Sequence, residues 1–142
     1  MAEDVNARLD LLQTALQAAV TASGSGRGVS RDLRDWDQYQ DAELGLGVWV
    51  IAMQREADFA EHRQPEAELG VQRVGIVGRC KVREDQTGAA VEAIELDMVL
   101  ELKSIHTYLD AEITGYRLLN YRTSGQFSVP YGFVAAEAEL RP

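Results

Sequence analysis

The chain has 142 residues, of which 46% are hydrophobic and 26% charged, proportions of a folded protein rather than a disordered one. That length suits one domain whose core needs neither disulfide nor metal. Fourteen Lys and Arg against twenty-three Asp and Glu give a formal charge of −9, which disfavours ordinary binding to a nucleic-acid backbone.

Cys80 is the single cysteine, so no intramolecular disulfide is expected, and it reads as a small core residue of a strand. Its neighbours Arg79 and Lys81 point to the opposite strand face. The opening "MAEDVNARLD" lacks the apolar segment of a signal peptide. No apolar run approaches the roughly 18 residues of a membrane span, so no membrane partner is expected.

Val5, Leu9, Leu12, Leu16 and Ala19 recur at spacings of three and four, which predicts a helix from about Asp4 to Ala22, with Arg8 off the apolar stripe. "SGSGRG" ends it. These glycines follow a helix, not a strand, and lack the Lys-Ser/Thr pair of a phosphate loop. Residues 23–46 therefore read as a flexible or arm-like connection. Within it, Arg31, Arg34 and Trp36 have a composition enriched at protein contacts.

"LGLGVWVIAMQREADFA" predicts a strand from about Gly47 to Asp58. Its middle is apolar on both sides, which implies burial between layers or against a neighbouring subunit, with Trp49 and Ile51 as candidate contacts. A polar loop over 57–70 follows, containing Pro65. "VQRVGIVGRCKV" predicts the antiparallel partner, Gly75 and Gly78 marking a bulge or a close approach. A second helix is expected from about Ala89 to Leu109, buried on more than one side, with Glu92, Glu95, Glu101 and Lys103 on its wet face. Two strands, about Glu112 to Arg122 and Tyr131 to Leu140, flank the turn "TSGQFSVP". The last strand alternates: Val134, Ala136, Ala138 and Leu140 face one way, Phe133 and Glu137 the other. The fold class is α+β, a single domain of residues 1–142 in the order α-β-β-α-β-β. Its mixed or antiparallel sheet has about four strands, covered by two helices.

No catalytic, cofactor-binding or metal-binding residue is identified. His62 and His106 lie far apart in the chain, and Ser124 and Ser128 have no positioned base. The pairs Glu92 with Glu95 and Asp97 with Glu101 share helix faces, but periodicity turns them to solvent. An enzyme is not expected, nor a cofactor.

The helix "VNARLDLLQTALQAAV", the strands "LGVWVIAMQREAD" and "RVGIVGRCKV", the helix "AVEAIELDMVLELKSIHTYL" and the closing "TSGQFSVPYGFVAAEAEL" together resemble the tail terminator proteins of long-tailed bacteriophages, the minor tail protein U-like family. The resemblance implies a structural protein of the virion tail or neck, assembled in the host cytoplasm. It implies a ring, commonly a hexamer, that caps the tail tube protein, stops its polymerisation and meets the head-tail connector or head-closure protein. DNA would pass through an acid-lined lumen without specific binding. The subunit or partner interface expected on this reading comprises Arg31, Arg34, Trp36, Trp49, Ile51, Phe133 and Glu137, the last strand completing the sheet with its Phe133 and Glu137 side free. Another neck component, head-closure or tail-completion, and a small ligand-binding α+β domain are the alternatives.

Overall fold

A computed structural model describes residues 5–57, 70–113 and 115–141. Helix α1 (Val5–Ser23) is followed by strand β1 (Gly28–Ser30), a 3-10 turn (Trp36–Gln38) and a short helix α2 (Asp41–Leu46). Then come β2 (Val48–Ala57), β3 (Val71–Lys81), α3 (Gly88–Ser104) with a 3-10 extension (Ile105–Tyr108), β4 (Tyr116–Thr123) and β5 (Tyr131–Leu140). The polar loop expected over 57–70 lies, from 58 to 69, outside the described residues.

The five strands form one mixed sheet in the order β1-β2-β3-β5-β4, with β1 parallel to β2 and the other pairings antiparallel. The order α-β-β-α-β-β thus captures the six long elements and misses β1 and α2. Both misses fall in 23–46 and have one cause: pieces of three and six residues are too short to show a period. β1 exists because Gly28 to Ser30 add to the β2 edge opposite Val48 to Val50. A further correction concerns β5, which lies inside the sheet between β3 and β4 and offers no free edge. The edge strand β4 carries an irregularity between Leu118 and Asn120.

Register assigns the two sheet faces, because residues directly opposite in an antiparallel pair share a side. Trp49, Ile51, Val74, Ile76, Cys80, Val134, Ala136, Ala138 and Leu140 pack with Leu9, Leu12 and Leu16 of α1 and Met98 and Leu102 of α3 in one core. Gly78 is required there: a Cβ would sit 2.5 Å from Met98 Cε and 3.0 Å from the Trp49 ring. On the other face a small cluster of Trp36, Tyr39, Leu44 and Val48 is buried at one end. Arg8, expected off the apolar stripe, is buried and donates from Nη2 to the Arg141 carbonyl at 2.9 Å, tying the first helix to the chain's end. Burial holds its pKa below the ordinary arginine value.

The wet face expected for α3 is also corrected, since Glu95 and Glu101 are both buried. Glu101 Oε1 accepts hydrogen bonds from Arg27 Nη1 at 2.7 Å and Trp49 Nε1 at 3.1 Å; Oε2 accepts from the Ser23 and Ser25 hydroxyls at 2.5 and 2.6 Å. Arg27 also donates to Asp97 at 2.9 Å and to the Leu46 carbonyl at 2.7 Å. A buried carboxylate is tolerable only when paired and fully hydrogen-bonded, and this one is. The "SGSGRG" segment is therefore pinned, with Gly24 and Gly26 at positive φ turning Arg27 inward.

Replacing one partner of a buried pair strands the other. Arg27→Met is expected to lower stability by about 3–5 kcal/mol. Asp97→Ala, whose side chain is 59% exposed, should cost less than about 1 kcal/mol. Chemical denaturation measures both, and equal losses would mean that the burial of Glu101 does not matter.

Candidate contact surface

The sheet face opposite the α1 and α3 core collects cations. Register places Arg55 of β2, Arg73, Arg79 and Lys81 of β3, and Arg117 and Arg122 of β4 on that side, six of the chain's fourteen Lys and Arg. The strand carboxylates among them are Glu137 and Glu139, both held by Arg73. A chain of charge −9 thus presents a locally basic face.

The connection after β1 builds one end of this face. Gln38 Oε1 accepts the Asp35 N–H at 2.9 Å, fixing the 3-10 turn that carries Trp36. Trp36 meets the Tyr131 ring edge-on, with centroids 5.0 Å apart and planes at 66°. Arg79 lies 4.9 Å over the Trp36 ring and donates to the Arg34 carbonyl, while Arg34 lies 4.7 Å over Tyr39. Lys81 stands 5.3 Å over Tyr131, and its hydrogen bond to Asp41 raises its pKa above the ordinary value. Arg122 lies 5.9 Å over Phe133. Each cation thus covers a ring. Trp36, Ser128, Tyr131 and Phe133 line an open recess of about 460 Å³. Beside it, at the tip of the β4–β5 turn, Phe127 is 94% exposed.

A buried carboxylate sets that turn. Glu95 Oε2 accepts the backbone N–H groups of Ser124 at 3.0 Å and Phe133 at 2.9 Å, so α3 grips both ends of the segment carrying Phe127. Gly132 leaves room for it, because a Cβ there would lie 2.8 Å from Cys80 Sγ and 3.0 Å from Glu95 Oε2. At the helix start, Gln126 donates to Glu92 at 3.0 Å. Glu95 Oε1 and the Ser124 hydroxyl are buried and find no hydrogen-bond partner among the described residues. Burial, then the nearby Glu95 charge, pushes the Cys80 thiol up to about 12.

The residues expected at an interface separate into two groups. Trp36, Arg34 and Phe133 come together in the aromatic and cationic cluster, and Glu137 lies on the same face paired to Arg73 at 3.2 Å. Arg31 sits elsewhere, bonded to Asp10 of α1 at 2.9 Å. Trp49 and Ile51 are corrected: both are fully buried in the chain's own core, because the strand's second apolar side is covered by α1 and α3 and not by a neighbour. Sequence reasoning missed Arg79, Lys81, Tyr131 and Phe127 as surface-forming residues. The strand alternation of Arg79, Lys81 and Tyr131 was visible, but not which helix covers which side, and Phe127 lies in a turn that shows no period. Among the described residues, no group of three or more His, Cys, Asp or Glu side chains is placed to hold a metal ion. No protein-family model matches the chain, and no curated protein matches it either.

Glu95→Ala should cost about 2–3 kcal/mol and speed amide exchange at Ser124 and Phe133 more than in central β3. Unchanged protection at those two amides would rule out the grip. A second test uses pH. The unfolded Cys80 thiol ionises near 9.0 and the folded one near 12, so the folded state binds more protons between those values. Its stabilising contribution is complete below pH 9 and is lost as pH rises toward 12. Buried Tyr116, also raised to about 12, acts in the same direction. Denaturation across this range should show a shallower decline for Cys80→Ala, and an identical decline would contradict the assignment.

Proposed function

We propose that the protein acts by contact and not by catalysis, as a ring-forming tail terminator of a long-tailed bacteriophage. It caps the tail tube, ends its polymerisation in the virion neck and offers a surface to the head connector. The observation that carries this reading is the arginine-rich, aromatic character of one sheet face. Helices close one face, while the other keeps an arginine-rich surface, an aromatic recess and a fully projecting Phe127. Such a face has the Trp, Tyr and Arg composition that dominates protein interfaces. Covering cations occupy ring surfaces that a nucleic-acid base would need for stacking, which favours a protein partner. The overall charge of −9 lets DNA travel past without being held.

The test adds purified protein to elongating tail-tube subunits and measures tube lengths by electron microscopy. Growth should halt, with the protein found at one tube end. Tubes of undiminished length would overturn the terminator reading. Bound protein at the connector, with no effect on growth, would move the assignment to another neck component.

A further inference from the structure

The helix layer, on the far side of the sheet from the basic face, has an unexplained surface of its own. Leu96 and Leu100 project from α3 with exposures of 51% and 65%. Alongside them a groove of about 250 Å³ opens between α1 and α3, lined among others by Ala19, Ala22, Leu100, Ser104 and Tyr108. Its charge is opposite to that of the sheet face. Asp97 and Glu101 share the cation Arg27, leaving one carboxylate charge uncompensated at the groove. Lys103 is turned onto the Tyr121 ring.

We propose that this groove receives Phe127 of a second copy, so that copies join head to tail, the basic sheet face of one against the acidic helix face of the next. The groove has room for one aromatic side chain, and Phe127 is an aromatic side chain without cover. The arginines flanking the turn, Arg79 and Arg122, meet carboxylates in this arrangement. The simplest competing geometry, a two-fold pair in which Phe127 enters the recess of Trp36, Tyr131 and Phe133, brings two basic faces together and is opposed by charge. A heterologous contact repeats, and it closes when the rotation per copy divides a circle. This pairing deepens the ring reading and rests on it for closure, not for the contact itself.

Cysteine crosslinking tests the pairing, since the buried native Cys80 gives no background. Phe127→Cys and Leu100→Cys proteins are mixed and treated with a short bismaleimide, and wild-type association is followed by sedimentation. The mixture should give a crosslinked heterodimer, and the double variant a ladder. Crosslinking only between two Phe127→Cys chains, no crosslinking in the mixture, or a wild-type chain monomeric at every attainable concentration would each overturn the proposal. Charge reversal gives a second arm. Arg79→Glu with Arg122→Glu should weaken association at least tenfold, as should Asp97→Lys, and mixing the two proteins should recover much of it. Failure of this pairing is distinct from failure of the function above. Capped tubes without the crosslink leave the terminator reading standing, and crosslinked ladders beside freely growing tubes leave only the pairing.

Discussion

A single carboxylate inside the protein, that of Glu101, decides how the layers sit. It draws donors from the end of α1, from the turn after it and from β2, and its partner Arg27 also donates to the Leu46 carbonyl that closes α2. Apolar packing alone allows α1 and α3 to slide on the sheet at little cost, because contacts of similar area are exchanged. Directional bonds to one buried charge do not allow it, since each displaced donor leaves an unsatisfied group in a dry interior. The stretch between the first helix and the first long strand is ordered by the same bonds. With it comes the placement of Trp36 and α2 over one end of the opposite face.

Glu95 plays the matching part at the other end of α3. It acts on backbone and not on side chains, accepting two N–H groups that strand pairing does not use. The helix thereby supports a projecting turn from inside, so a tip bearing a large aromatic in water rests on a rigid base. Two buried acids on one helix order the two ends of the aromatic and cationic cluster, one through the connection and one through the closing hairpin. This economy explains why an acidic chain places carboxylates where solvent is absent. The opposite sheet face carries the arginines of β2, β3 and β4, with Gln54 lying over Gly75.

Much of the architecture was legible in the sequence, and the failures are informative. The stripe of Leu9, Leu12 and Leu16 and the alternation ending at Leu140 located α1 and β5, because both run long enough for their period to show. The antiparallel pairing of β2 and β3 was legible for the same reason. β1 and α2 were not, being held by tertiary bonds and an adjoining edge, not by their own pattern. Glu95 and Glu101 were misread because residue type outweighed position. Glu95 stands four residues after Val91 and three before Met98, and Glu101 three after Met98 and four before Ile105, all inside the buried stripe. Trp49 and Ile51 were assigned to a neighbour because a strand apolar on both sides does not say which cover is intramolecular. Arg34, Trp36 and Phe133 were recognisable by composition, yet their meeting with Arg79 and Tyr131 depends on a fold-back that no local pattern encodes.

The outermost strands add a different kind of property. One border of the sheet is β1, only three residues long, and the other is β4, whose spacing is broken between Leu118 and Asn120 and whose open side bears Arg117 and Arg122. An incoming extended segment finds either too few backbone partners or a register that slips after a few residues, with like charges repelling a copy of itself. Many molecules crowded together are thereby protected from fusing into an endless cross-strand fibril. Both borders thus disfavour growth by edge addition, the route to amyloid.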